Sequence, residues 1–271
     1  MLKSFEFCGE IQLKVSIITV CKNVQDTIEE TIKSIINQTY SDIELVIIDG
    51  DSSDNTKEIL EQYSEKIAYC LSEPDTGVYN AMNKGINAAK GDILYFLNAN
   101  DYLFDENVIT NVVAAFKSSK ADILWGGLAN LGTNGEIQIC KENYIDKLFF
   151  LNGENMCHQC IFYKSELFKK YGFYDENFKI AADYDFNLKV LIKNKVKYTV
   201  FQKTIAKFSL GGFSTSEKYR DLLLKERDIV INRYFSNSEI KLNKVLRKSF
   251  RSLLKNKFAK SILCYFFRLN M

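Results

Sequence analysis

The chain has 271 residues, 46% of them hydrophobic and 26% charged, with a formal net charge of +2. That balance allows one large α/β domain, with or without an appendage, around a sizeable core. So small a net charge gives no global field to select a polyanion, and no nucleic-acid partner is expected. With one histidine in the chain, a multi-histidine metal site is excluded and any general base is expected to be a carboxylate.

The start, MLKSFEFCGEIQLK, lacks a continuous apolar run, so no secretory signal is expected. Lys14 to Val20 (KVSIITV) is short and β-branched, the pattern of a buried strand. From Asp26 to Tyr40 the apolar Ile28, Ile32, Ile35 and Ile36 recur at helical spacing, with Asp26 as candidate N-cap. Ile43 to Ile48 is a second buried strand closing on Asp49, followed by a helix over Thr56 to Tyr63 and a strand over Ile67 to Leu71. Val78 to Ala89 reads as a helix stopped by Lys90-Gly91, and Ile93 to Leu97 as a fourth strand. Alternation of this kind predicts βαβ units and a mostly parallel central sheet flanked by helices. Ligands in such sheets sit at the carboxyl ends of the strands. Three of those ends carry polar clusters: Cys21-Lys22-Asn23, the stretch Asp49 to Asp54, and Asn98-Ala99-Asn100-Asp101. Asn and Asp form turns readily, but three such clusters on one rim favour a site.

Beyond Asp105 the order changes. A helix to Phe116, a strand over Asp122 to Gly126 and a hairpin signal at Asn134-Gly135 suggest antiparallel additions. Tyr184 to Ile192 is helical and Lys197 to Ala206 extended. Residues 1–215 are therefore expected to form the main α/β domain and 216–271 a helical extension. From Glu239 to Met271 nine Lys or Arg stand against one acid and alternate with large apolar residues. Such a basic amphipathic tail either contacts an anionic membrane surface or packs on the domain with a solvated basic face. No apolar run approaches the roughly 20 residues of a spanning helix. Seven cysteines, odd in number and mostly widely spaced, suit reduced thiols, and a cytoplasmic location, peripheral on the membrane, is expected.

Several chemistries have no motif here. There is no GxGxxG after the first strand, no phosphate-binding GxxxxGK[ST] and no GxSxG. Cys157-His158-Gln159-Cys160 is a CxxC without a second ligand pair. The runs VSIITVCKN, IELVIIDGDSSDNT, SEPDTGVYNAMNKGINAAKGDILYFLNAND and HQCIFYKSELFKKYGFYDENFKIAADYDFNLKV, in that order, resemble a family 2 glycosyltransferase with the GT-A fold. The resemblance runs from Lys14 to Phe213 and is to bacterial enzymes that build capsule, exopolysaccharide and lipopolysaccharide chains.

The resemblance implies inverting transfer of a sugar from a nucleotide-diphosphate donor, usually with Mn²⁺ or Mg²⁺. A hard cation would neutralise the departing diphosphate. Asp101 matches the last Asp of the family's metal motif and is the implied ligand; Asn98 and Asn100 stand where acids are usual, which weakens the motif. Asp49 matches a nucleoside contact, although the family often has two acids where this chain has Asp49-Gly50. Thr19, Cys21 and Asn23 match the loop lining the base, and Cys21 reads equally as a packing residue. Asp75, Asn83 and Lys84 fall in the donor segment, with a turn role open for Asp75 and a solvated role for Lys84. Asp54 reads as a helix N-cap. Asp183 matches the catalytic Asp of a Glu-Asp pair whose Glu is here Ala182. Its alternative role is to cap the helix near Tyr184, and Asp185 is the fallback base. His158 and Gln159 match a segment facing the site. Trp125 either stacks on an acceptor sugar or fills the core, and Gly211-Gly212-Phe213-Ser214 reads as a closing loop. The implied partners are a nucleotide-sugar, UDP-linked by default, and a glycan or lipid-linked acceptor. A sugar-nucleotide nucleotidyltransferase is the nearest rival, but TVCKNVQD lacks the Gly-rich basic loop. A non-catalytic glycan- or membrane-binding module is the other.

Overall fold

All seven residues of β1 (Val15–Cys21) are buried, because this strand lies in the middle of the sheet and meets helices on its faces. In the computed structural model, which describes residues 12–131, 137–140, 145–209 and 217–255, β1 pairs in parallel with β2 (Ile43–Asp49) on one side and β4 (Ile93–Phe96) on the other. β3 (Tyr69–Ser72) joins β2, also in parallel. Near-continuous runs of Val, Ile and Leu are what a strand buried on both faces requires. The helices between these strands are α1 (Ile28–Ile36), α2 (Thr56–Gln62) and α3 (Val78–Ala88).

α1 starts at Ile28, the first residue of its apolar spacing, and ends at Ile36, short of Tyr40. Thr27 is its first flanking residue, and Asp26 is exposed and does not cap it. α3 packs tightly on β1 because Gly85 has no side chain: a Cβ there would lie 2.4 Å from Ile18 Cγ2. That close approach holds the start of α3, with Tyr79, at the carboxyl rim of the sheet.

The second half of the sheet is mixed. After β5 (Tyr102–Leu103) and α4 (Val108–Ser118) come β6 (Ile123–Leu131), β7 (Ile137–Cys140), α5 (Lys147–Leu151), β8 (Ile161–Lys164) and α6 (Glu166–Tyr171). β8 inserts antiparallel between β4 and β6. β9 (Tyr198–Ser209) runs parallel to β6 and antiparallel to β5. The sheet order is β3-β2-β1-β4-β8-β6-β9-β5, with β7 paired to β6. Among the described residues four of the eight pairings are parallel, and three of those lie together at the β1–β4 end. β6 and β7 pair antiparallel as the hairpin signal requires, while its Asn134-Gly135 turn lies outside the described residues.

Behind the rim sits an aromatic cluster in which Phe168 and Phe186 stack at 4.4 Å and Tyr163 and Tyr174 meet Phe168 edge-on. Edge and offset contacts of this kind add about 0.5–1.5 kcal/mol each beyond burial. Trp125 is 2% exposed and packs edge-on against Phe149; it belongs to the core and is not a platform for a sugar. α7 (Ala182–Asn187) emerges from the aromatic cluster and widens into a π-helical turn, Leu188–Lys193. α8 (Arg220–Tyr234) covers α7, with Val230 fully buried, and α9 (Asn237–Lys255) follows.

Candidate active site

The parallel register fixes the first part of the rim. Cys21 on β1, Asp49 on β2 and Ser72 on β3 are aligned neighbours, so their side chains meet. Asp49 is fully buried; it accepts from Ser52 N at 3.0 Å, Ser52 Oγ at 2.5 Å and Ser72 Oγ at 2.6 Å. The Cys21 thiol lies 3.7 Å from Asp49 Oδ1. Burial first, then the Asp49 charge, pushes the Cys21 thiol far above its ordinary range, so it stays protonated and unreactive. Thr19 Oγ1 is buried here without a hydrogen-bond partner.

Each of three rim loops turns through one left-handed residue: Asn23 (φ 53°), Asp51 (φ 61°) and Asn100 (φ 88°). Asn and Asp tolerate this conformation best among residues with a Cβ. Asn23 Oδ1 accepts from Ser53 N at 2.8 Å, tying the first loop to the second. Asp54 accepts from Thr56 N and Gln25 N, each at 3.1 Å, and so caps α2 from one position before its formal boundary. Asp75 accepts from Gly77 N at 2.9 Å and lies over the second loop. A Cβ on Gly50 would sit 2.2 Å from its Oδ2, which accounts for glycine after Asp49. Lys84 pairs with Glu73 at 2.8 Å. Asn83 is turned away from the rim: it bonds Tyr174 N, Tyr174 O and Glu176, and fastens α3 to the chain that leads to α7.

The second part of the rim gathers around Asn98 and Asp101. Asp101 is 4% exposed and accepts from Gln159 Nε2 at 3.0 Å. Asn98 Nδ2 donates to His158 Nε2 at 3.0 Å. Burial lowers the His158 pKa against the opposing pull of Asp183, so the ring is neutral and can accept that bond. Asn100 is exposed and its role in the structure is the turn.

Asp183 is not a helix cap. The residue flanking α7 is Ala181, and Asp183 lies within the first turn, nine-tenths buried. Tyr79 Oη donates to its Oδ1 at 2.9 Å and Asn155 Nδ2 to its Oδ2 at 2.8 Å. Burial, then Asp183 itself, keeps the Tyr79 phenol protonated as donor. Asn155 is held in turn by Asn187, and Asn187 by Tyr163. Asp185 lies on another face. It bonds Arg233 at 2.8 Å and Tyr234 at 3.1 Å, so it is an ion-pair residue of the α7–α8 contact. The structure thus brings Asn98, Asp101, His158 and Gln159 together, with Asp183 near enough for its charge to act on His158, and sets Cys21, Asn23, Asp49 and Asp75 along the rim. Tyr79 and Asn155 carry no signal in the sequence. They occupy ordinary helix and loop positions, and only the fold brings them to Asp183.

For a divalent cation the rim offers the Asp101 carboxylate and Asn98 Oδ1, which is buried with no hydrogen-bond partner. Leaving such an atom unpaired costs roughly 1–3 kcal/mol, and a cation or a ligand hydroxyl would relieve it. Among the described residues no three His, Cys, Asp or Glu stand together as a metal cluster. The donor set fits a hard cation that completes its shell with phosphate oxygens and water; it does not fit an all-protein cage.

A mixed α/β sheet with a polar rim at its carboxyl end is the architecture of GT-A glycosyltransferases, and the comparisons agree. The profile of glycosyl transferase family 2 matches residues 16–172. A PGL/p-HBAD biosynthesis glycosyltransferase of Mycobacterium bovis is 32% identical over 206 residues, 74% of this chain and 79% of the relative. An uncharacterized glycosyltransferase of Mycobacterium tuberculosis is 38% identical over 183 residues, covering 66% and 69%. Staphylococcus aureus TarS 1-349, solved with UDP-GlcNAc, superposes with a TM-score of 0.68 at 18% identity over 91% of this chain and 75% of that one. The mannosyltransferase PcManGT of Pyrobaculum calidifontis, solved with GDP-Man and Mn²⁺, gives 0.59 at 13% identity, covering 93% and 83%. The chain belongs to glycosyl transferase family 2 and is a glycosyltransferase, which sets aside the nucleotidyltransferase and binding-module readings.

Proposed function

We propose that this enzyme moves a hexose or N-acetylhexosamine, with inversion, from a UDP-sugar to a growing lipid-linked cell-surface glycan. The observation that carries the reading is Asp183: a carboxylate nine-tenths buried, oriented by two neutral donors, beside the Asn98–His158–Asp101 cluster. In the reaction the acceptor oxygen bonds to the anomeric carbon as the bond from that carbon to the diphosphate breaks. The acceptor proton passes to Asp183, and the nucleoside diphosphate leaves with the bonding pair. Tyr79 and Asn155 hold the carboxylate toward the incoming hydroxyl. Asp101 and Asn98 would hold Mn²⁺ or Mg²⁺, which when bound neutralises the diphosphate. Thr19, Asn23, Asp49 and Asp75 would frame the nucleoside side of the pocket, and Lys84 would offset phosphate charge after parting from Glu73. A UDP donor is supported by the TarS complex with UDP-GlcNAc; a GDP donor is the alternative set by the GDP-Man complex.

The membrane part of the proposal rests on α9. Leu242, Val245 and Leu246 are 59%, 59% and 51% exposed, and Lys241, Lys244 and Arg247 beside them are exposed too. α9 is tied to α5 through Asn243 and Glu239, so this face is held outward with exposed Leu148. No helix among the described residues is long and apolar enough to cross a membrane, and contact with an anionic cytoplasmic surface is the proposed mode. The test is nucleotide release from UDP-, GDP- and dTDP-sugars with Mn²⁺, Mg²⁺ or EDTA, with binding of the same panel measured alongside. Release from a UDP-sugar, lost with EDTA and in Asp101→Ala, is the expected result. Binding of none of the panel would overturn the donor assignment.

A further inference from the structure

We propose that Glu226, on α8, is a positioning residue that holds the turn presenting Asp183; this rests on the reading of Asp183 as the base. Glu226 is 5% exposed. Its Oε1 accepts from Lys179 N at 2.8 Å, and its Oε2 from Ile180 N at 2.9 Å and Ala181 N at 3.0 Å. These are three consecutive backbone donors leading into α7. They belong to the turn before the helix and would be left without an acceptor if none were supplied from elsewhere, which a buried backbone N–H rarely tolerates. The flanking residue Ala181 has no capping side chain. The acceptor for the turn comes from a helix more than forty residues further along the chain.

The same turn is fastened from the other side. The single Tyr79 O–H is shared between Ile180 O at 2.7 Å and Asp183 Oδ1 at 2.9 Å. Seven and eight residues past Glu226, two helical turns along the same face, Arg233 and Tyr234 grip Asp185. Asp183 therefore sits between two points that α8 fixes, the turn before α7 and Asp185, two residues beyond it. Only a carboxylate serves at position 226. Gln has a single acceptor oxygen, and its NH₂ would face an N–H.

The experiment compares Glu226→Gln, Glu226→Asp and Val230→Ala, with Asp183→Asn alongside, using the sugar nucleotide that the panel selects and UDP as binding probe. Val230 lies on α8, fully buried, and touches no part of the turn's hydrogen bonding. Glu226→Gln should lower kcat by about 10- to 100-fold, because a base displaced by about 1 Å loses this much, with UDP affinity and donor KM little changed. Glu226→Asp should recover part of the loss. Val230→Ala should lower Tm comparably and keep kcat. Wild-type kcat in Glu226→Gln, or an equal kcat loss in Val230→Ala, would overturn the proposal. Where Glu226→Gln does not fold, Glu226→Asp carries the test: a lower kcat at retained Tm supports positioning, and an unchanged kcat overturns it. Turnover retained by Asp183→Asn would strike the base reading itself. Its loss beside a fully active Glu226→Gln would strike positioning alone.

Discussion

The two parts of the rim are held by different means. On the proposed nucleoside side, Cys21, Asp49 and Ser72 are register neighbours on adjacent parallel strands, and Ser52 is three residues from the carboxylate it bonds. Wherever the sheet forms, this part forms with it. On the transfer side, Asp183 takes its bonds from Tyr79, 104 residues away, and Asn155, and its turn from Glu226 on a helix outside the sheet. Loop closure and packing must be complete before that carboxylate is aimed. The first part should behave as structure that also binds, the second as chemistry that needs structure.

The sharpest test of that contrast is Asp183→Asn. Asn keeps the size and one acceptor, so stability should fall by only about 1 kcal/mol, while turnover should fall about 10³-fold, within the range for loss of a general base. Steady-state kinetics and a thermal melt on the same preparation would show it; a large Tm loss would erase the contrast. Asp49→Ala should show the opposite balance. It leaves the Ser52 N–H and the Ser52 and Ser72 hydroxyls without their acceptor, and a loss on the order of 2–3 kcal/mol is expected. Denaturant titration should show a lower midpoint at unchanged slope. If Asp49→Ala proved as stable as the parent, the nucleoside side would not be the structural element described here.

The smallest effect concerns His158, in the second part of the rim. Its pKa is lowered from 6.5 by burial, so the native state prefers the neutral ring. Its contribution is fully present above 6.5 and is lost as pH falls toward the lowered native value. Protonation would also turn Nε2 into a donor facing Asn98 Nδ2, so donor binding should weaken only as pH falls through the lowered native value. The chain has a single histidine, so one imidazole NMR signal reports the titration. A pKa at or above the ordinary value would refute the burial argument, and His158→Gln should flatten the pH dependence of Tm.

The parallel half was legible in the sequence because its signal is local. KVSIITV and IELVII are buried on both faces and announce themselves as strands. The polar clusters that close these runs lie on the rim because parallel strands all end there. β8 was not legible: IFYK is four residues long, and its place between β4 and β6 depends on pairings formed across the chain. α7 shows what a boundary can decide. A start near Tyr184 leaves capping open for Asp183, whereas the observed start at Ala182 puts Asp183 inside the first turn with its carboxylate on Tyr79. The Asn residues of the rim divided in a way their type could not reveal. Asn100 shapes the turn, Asn83 fastens α3 to the loop before α7, and Asn98 faces the site with an unpaired oxygen. Nothing in RDLLLKERDIVINRY marks Glu226 as the partner of Ala181, because a buried acid on an otherwise solvated helix looks like any other.

The fastening of α7 also bears on how enzymes of this kind can be recombined. The family profile ends at residue 172, and a seam there would look natural. Yet the loop from Tyr174 is joined to α3 through Asn83, to α8 through the pairing of Asp175 with Arg233, and to both again at Ile180. A hybrid that took α3 from one parent and α8 from another would inherit an Asp183 carboxylate, the proposed base, aimed by mismatched hands. The unit of exchange is discontinuous: α3, the stretch from Tyr174 through α7, and α8 must come from the same parent.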